Sequence, residues 1–576
     1  MSSNKAIVSR YDGFCKKCKS KWQKGDNIVR DDGLGTWVHL KCPSNNGKGK
    51  TFKQMLTTPA KAVAEEGEDI IEQIGKKVFI PSDYQQAIFD WAISGTGNGV
   101  AEAVAGSGKT TTIVKMLDIL PSSFKILFLA FNKRIVANLK SRVPKHIRVA
   151  TLHSLGFSVI RKLADFRDLD KEKVSKIMDE FWKVSKQEVP DPKVRSANYK
   201  KRRAMRTVVS MVKATLVDYN DPNQILDIIN RFHIEMDEMD EQEVIERLPY
   251  VMEKNNENTE YIDYDDMCYL PVVDNRLKLH FDKYDFILVD EGQDLNLCNV
   301  ELVINCLAPN GRMLVVGDRF QSLYAFRGAD PRAIPTMIKR LDAKVLPLSI
   351  SYRCPRSHVE RIKHLVPQIE SAPGAKDGWI KTILHHQLTN ILEEGAKGAK
   401  NQMVLCRTNA PLVKPAFELI KRDIKATIVG ADIGKDLINF IERFQADDLG
   451  HLEILMAEFV EREVERLLSK NRELQAEDLK DKFDTIVTVS HECISVTDLI
   501  LKLQTLFSDD NIGVSFSSVH RAKGLEAEDV FILHPELFPH PKAKGEDELQ
   551  QEANCEYVAG TRSLDTIYIV LGDENG

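Results

Sequence analysis

Short β-rich runs punctuate the chain at residues 125–131, 286–289, 313–316, 403–406, 514–518, 530–533 and 567–571. Polar or turn-forming text bounds each of them, which predicts buried strands. Between the runs lie longer stretches with apolar residues at helical spacing. Strands that alternate with helices predict an α/β fold, with parallel sheets joined by crossover helices. The rhythm begins near residue 78 and is broken twice, at 160–262 and 433–510, where the text is helical throughout. These two stretches read as insertions into two lobes, a first lobe of 78–159 and 263–345 and a second of 346–432 and 511–576. Ahead of them, 43–77 reads as a linker whose only aromatic is Phe52, and 1–42 as a small separate module.

Composition sharpens the outline. A chain of 576 residues is too long for one core, since single cores rarely grow past ~250–300 residues. Apolar content of 43% and charged content of 29% fit a globular protein. No apolar run approaches the ~18 residues of a membrane span, and the first residues lack the apolar core of a signal peptide. The expectation is an intracellular protein without a membrane partner, in the cytoplasm or nucleoid, or in the host cytoplasm for a viral chain. Ten cysteines in this length are no disulfide scaffold.

Net charge is −5, so any attraction to nucleic acid must be local. Residues 193–206 hold seven basic side chains and no acid. They read equally as a solvated helix face or a nucleic-acid stripe, with a nuclear-localisation signal as a third reading. The acidic run 235–246 reads as a solvated helix face.

Chemistry concentrates at two places. Residues 103–110 read Ala-Val-Ala-Gly-Ser-Gly-Lys-Thr. Gly106 and Gly108 let backbone N–H groups turn around phosphate oxygens, with Ala105, Ser107 and Thr111 alongside. Lys109 reaches the β/γ-phosphates and Thr110 offers its hydroxyl to magnesium. Residues 286–294, Phe-Ile-Leu-Val-Asp-Glu-Gly-Gln-Asp, put two acids at a strand end beside that loop. Asp290 suits the magnesium shell, and Glu291 suits the carboxylate that orients or deprotonates the attacking water. A ligand-free glycine turn and a plain helix cap are the bland readings; the pairing of the two motifs favours hydrolysis of a nucleoside triphosphate. Separately, Cys15, Cys18, His39 and Cys42 form two pairs spaced for tetrahedral zinc. Basic residues around that module leave phosphate contact and protein docking both open.

The motifs resemble those of superfamily 1 helicases of the UvrD/Rep/PcrA group, in order over nearly all of 80–571. Val289–Asp294 resembles the second ATPase motif and Pro81–Gln85 the Q motif. Ala130–Lys133 and Thr151–Ser154 are similar to motifs Ia and Ib, and Gly317–Ala329 to motif III. Leu348–Arg353, Val519–Glu526 and Tyr557–Arg562 are similar to motifs IV, V and VI. The resemblance implies two RecA-like P-loop lobes. It implies that Gln85 reads the adenine, Tyr352 stacks on it and Glu526 holds the ribose. Gln321 would sense the γ-phosphate, and Arg353 and Arg562 would reach across the cleft, where an arginine finger contributes ~10³–10⁵ in rate. Asn132, Thr151, His153, Tyr324, Phe326 and His520 would line the DNA path. Rings such as Tyr324 and Phe326 can stack on unpaired bases, worth ~1–3 kcal/mol per base; for Tyr324 a core position reads equally well. His520 reads equally as a structural residue. The family's usual Trp is Phe326 here, the 433–510 insertion is much shorter than the family's 2B domain, and the text before Tyr557 is not the usual Arg-rich one.

The expectation is an ATP- and magnesium-dependent helicase or translocase, monomeric, acting on single-stranded DNA and its junctions with duplex in repair, recombination or replication. The 3′→5′ direction follows from the resemblance alone. A translocase that strips proteins without unwinding, and an ATPase subunit docked through the zinc module, are the alternatives; RNA is a less favoured track.

Overall fold

The structure is a computed structural model. It describes residues 79–572 apart from 95, 131–132, 164, 233, 235, 237–238, 324–332, 470–472, 509–512, 542 and 544, together with five short strands between residues 7 and 39. The chain divides into two compact units, Met1–Ile80 and Pro81–Gly576.

In the first unit, Ile7–Val8, Asn27–Asp31 and Thr36–His39 form an antiparallel sheet, and Gly13–Phe14 pairs with Lys21–Trp22. The zinc expectation falls mostly outside the described residues: Cys15, Cys18 and Cys42 are not among them, and His39 ends a strand.

The second unit holds two large parallel sheets, as the α/β pattern predicts. The first orders its strands Lys344–Leu348, Gly99–Ala103, Leu307–Gly317, Tyr284–Val289, Ile126–Leu129 and Arg148–Ala150. Small residues in Gly99–Ala103 have a packing cause: a Cβ on Gly99 would lie 2.9 Å from the Trp91 ring. Lys344–Leu348 still belongs to this sheet, so a lobe boundary at 345 cuts a strand. Its Pro347 is tolerated because it lies on an edge strand. The second sheet orders Trp379–Leu384, Ser563–Leu571, Ala527–Leu533, Gln402–Cys406, Val514–Ser518, Ala426–Val429 and Phe507–Ser508.

Both faces of each sheet are covered, which explains the unbroken apolar strands. One face of the first sheet shares its core with the helices Lys173–Met178, Pro192–Thr215, Pro222–Arg231 and Glu241–Glu257. The junction depends on Gly156, where an added Cβ would come 1.9 Å from the Met267 carbonyl oxygen. Where the insertion joins the lobe lies a buried charge cluster. Asp266 pairs with Lys173 at 2.6 Å and Lys213 at 2.9 Å, and Lys213 also meets Asp263 at 2.8 Å. Burial opposes ionisation of Asp266, yet the two ammoniums hold its carboxyl below the usual range. The acidic run is not simply solvated, because Glu243 accepts from the Trp182 indole and from Lys201. The second sheet packs one face on the helices Ala431–Glu442, Leu449–Ser469, Glu473–Ser490 and Val496–Leu506. Among the described residues no helix is long and apolar enough to cross a membrane.

Candidate active site

Parallel strands place their C-terminal ends along one sheet edge, where loops can converge on a ligand. Gly99–Ala103 runs into the glycine loop and the helix Lys109–Leu117, whose first turn carries Thr110 and Thr111. Tyr284–Val289 ends at Asp290 and Glu291, Leu307–Gly317 at Asp318 and Gln321, and Lys344–Leu348 at Ser349–Arg353. Gly106 and Gly108 adopt φ of 73° and 75°, which frees their backbone for a close-fitting loop. The helix behind it points its unsatisfied N–H groups at this spot.

The charges are arranged before any phosphate arrives. Lys109 lies 3.2 Å from Glu291. Burial disfavours its ammonium, but Glu291, Asp290 and Asp318 outweigh that and raise its pKa. Burial also opposes ionisation of Glu291, yet Lys109 and Lys523 hold its carboxyl well below the usual range. Burial and then the Glu291 charge push Asp290 upward. Glu291 itself has φ of 56°, a costly backbone state for a residue with a Cβ, of the kind that collects at functional sites.

A chain of hydrogen bonds runs on from Glu291. The Gln293 amide donates to Glu291 and accepts from the Asp318 backbone N–H at 3.0 Å. The buried Asp318 carboxylate accepts from Gln321 Nε2 at 2.7 Å and from the Tyr557 hydroxyl at 3.1 Å. Tyr557 accepts in turn from the Ala105 N–H at 2.7 Å. Gln85 donates to Thr112 at 2.9 Å, which fixes its amide beside the glycine loop. A Cβ on Gly108 would sit 3.6 Å from that amide and 3.9 Å from the ring of Tyr352, which is half-exposed and open to stacking.

The second lobe meets the first at this edge. Besides Tyr557, Lys523 pairs with Asp294 at 2.6 Å, and Asn554 donates to the Ser322 carbonyl at 3.0 Å. Val104 and Ala105 share a small apolar cluster with Cys354, Val359, Ile362 and Tyr557. A Cβ on Gly106 would collide with that of Arg353, at 2.4 Å, so this arginine already lies against the loop.

Arg353 and Glu526 form an ion pair at 2.7 Å, so the expected finger and the expected ribose carboxylate hold each other. Arg562 departs from its expected reach across the cleft. It is fully buried, and its guanidinium donates to Val558 O, Leu525 O and Thr561 Oγ1, all within the second lobe.

The expected DNA-path residues divide. Thr151 caps the helix Leu152–Ile160 reciprocally with Ser154, a structural task. His153 is exposed on that helix's first turn. Burial, then Arg407 and Arg521, lower the His520 pKa to about 3, so its ring is neutral near pH 7. Cys555 Sγ lies 3.6 Å from it. Asn132, Tyr324 and Phe326 lie outside the described residues.

The residues suit a nucleoside triphosphate with magnesium. Beyond the loop geometry, the buried Ser107 hydroxyl finds no hydrogen-bond partner among the described residues. Gln293, Asp294, Asp318, Lys523 and Tyr557 complete the site without having been singled out from sequence. Gln293 and Asp294 follow Glu291 closely enough to have been candidates, whereas Tyr557 needed the fold.

Comparison with known proteins agrees with this geometry. The UvrD/REP helicase N-terminal domain matches residues 85–342, and the UvrD-like helicase C-terminal domain matches 460–574. The ATP-dependent DNA helicase PcrA of Staphylococcus epidermidis is 23% identical over 81% of this chain and 80% of its own length. PcrA of Staphylococcus aureus is 21% identical over the same shares. The F-box DNA helicase protein 1 of Schizosaccharomyces pombe is 27% identical over 40% of this chain and 26% of its own. With both halves of the motor matched and their residues assembled on one cleft, the chain is an ATP-hydrolysing helicase of superfamily 1, of the UvrD/PcrA type.

Proposed function

We propose that this ATP-dependent DNA helicase moves along single-stranded DNA in the 3′→5′ direction and opens duplex ahead of it, in repair, recombination or replication. The observation that carries the reading is the meeting of Lys109, Asp290, Glu291 and Gln321 on the edge against which Arg353 lies. The backbone of Ala105–Gly108 and the first turn at Thr110 and Thr111 bind the phosphates. Lys109 exchanges Glu291 for phosphate oxygens, which frees Glu291 to orient or deprotonate water. Thr110 and Asp290 would hold magnesium, which would neutralise phosphate charge. Gln85 and Tyr352 position the base. Arg353 leaves Glu526, Glu526 takes the ribose, and the arginine stabilises charge on the transferring group. Arg562 can join it only by breaking its bonds within the second lobe.

Closure and reopening of the cleft then shift a strand past Thr151, His153 and His520, with Asn132, Tyr324 and Phe326 as further contacts. Cys15, Cys18, His39 and Cys42 hold a zinc ion in a module that docks DNA or a protein.

The test measures ATPase activity with single-stranded DNA, duplex and RNA, then unwinding of substrates with 3′ or 5′ tails. Turnover stimulated by single-stranded DNA and unwinding from a 3′ tail are expected. Lys109→Ala and Glu291→Gln should abolish turnover in a folded protein, and near-normal turnover by either refutes the assignment. Displacement of bound protein without strand separation would identify a stripping translocase. One zinc per chain by elemental analysis, lost on Cys15→Ser, is the expected metal result.

A further inference from the structure

One group at the cleft has no role in the steps above. Tyr557 lies on the helix Glu546–Gly560 of the second lobe and is fully buried. Its hydroxyl nevertheless makes two hydrogen bonds, both to the first lobe. It accepts from Ala105 N, in the phosphate loop, at 2.7 Å and donates to Asp318 Oδ2 at 3.1 Å. Its ring packs edge-on against Phe320, with centroids 6.0 Å apart. A buried hydroxyl that serves as donor and acceptor at once is a demanding device, because losing either partner leaves a polar group unpaired in a dry site.

Asp318 matters because of what else it holds. The same oxygen accepts from Gln321 Nε2 at 2.7 Å, and its backbone N–H meets Gln293, which bonds Glu291. One atom of the second lobe thus joins the chain that fixes both the γ-phosphate sensor and the water-orienting carboxylate. The geometry points to Tyr557 as a positioning residue, through which the second lobe sets the Gln321 amide for hydrolysis. When the lobes fit together, the hydroxyl steadies Asp318, and Asp318 steadies Gln321. When they part, the carboxylate loses that partner and the amide its fixed orientation. This rests on the motor reading above and names a further part of the same site.

Tyr557→Phe removes the hydroxyl and keeps the ring. Turnover stimulated by single-stranded DNA is expected to fall about tenfold in kcat, the scale of one buried hydrogen bond, with KM for ATP unchanged. Because the effect passes through Gln321, Y557F combined with Gln321→Ala should turn over no more slowly than Q321A alone. Asn554→Ala cuts a neighbouring bond between the same segments without touching Asp318. It should keep the wild-type kcat, which a general loosening of the interface would not allow. Wild-type kcat in Y557F, additive effects in the double variant, or an equal loss in N554A each overturn the inference while leaving the motor intact. A wild-type chain without DNA-stimulated turnover would remove the motor reading and this inference with it.

Discussion

In the first lobe, Lys109, Asp290, Glu291 and Gln321 stand at the ends of neighbouring strands with their partners in place. In the second lobe, Arg353 is held by Glu526, and Arg562 is bonded to carbonyls of its own lobe. The first set is a preassembled cradle, since a central parallel sheet fixes where each strand ends. The second set is held back. In the proposed cycle its positive charges would reach the reacting phosphate only after exchanging partners, with nucleotide supplying both incentives: ribose hydroxyls for Glu526 and phosphate oxygens for Arg353. That exchange would separate binding from hydrolysis, as a motor requires if ATP is to be spent only on a closed cleft.

The two arginines give the sharpest way to break this comparison. Arg353→Ala should lower DNA-stimulated turnover by ~10³-fold or more, as removal of an arginine finger does. Its unfolding midpoint should stay unchanged, because a partly exposed ion pair contributes little. Arg562→Ala should lower both, since it empties a fully buried site and takes the guanidinium donor from the Leu525 carbonyl. Thermal unfolding beside steady-state ATPase separates the two behaviours; equal stability losses would mean that the arginines are not held differently.

A smaller effect concerns how the helical insertion is fixed to the cradle. Asp266→Asn leaves the buried ammoniums of Lys173 and Lys213 short of a counter-charge and should cost about 3–5 kcal/mol in denaturant unfolding. An unchanged midpoint would show the cluster to be incidental. Smallest is Thr151→Ala, expected to cost about 1 kcal/mol through loss of its helix cap. Thr151→Ser keeps the capping oxygen and should restore that stability. A stable T151A with weakened DNA binding would leave strand contact as the task of Thr151 and remove the capping role.

Legibility in the sequence followed the same division. Strands with apolar runs, such as Tyr284–Val289 and Gln402–Cys406, were visible because both sheet faces are covered. Lys344–Leu348 and Trp379–Leu384 were not, since edge strands keep exposed positions and one carries Pro347. Gly99–Ala103 was hidden by small residues that Trp91 packing demands. The cradle could be read because its chemistry lies within short local motifs. The state of the second lobe could not, because Glu526 and Arg353 are far apart in the chain and either could have faced solvent. Tyr557 was obscured by its own composition: a tyrosine in an apolar segment reads as core, and only the fold brings its hydroxyl to Asp318. The acidic run misled in part because Glu243 turns inward to Trp182 and Lys201.

The account stands on the exchange of partners by Arg353. Its most direct test is a crystal structure with ADP, magnesium, a fluoride mimic of the transferring phosphoryl group and single-stranded DNA. The account predicts the Arg353 guanidinium within hydrogen-bond distance of the mimic, about 2.7–3.2 Å, and Glu526 on the ribose. An Arg353 still paired with Glu526 over a filled phosphate site would contradict it.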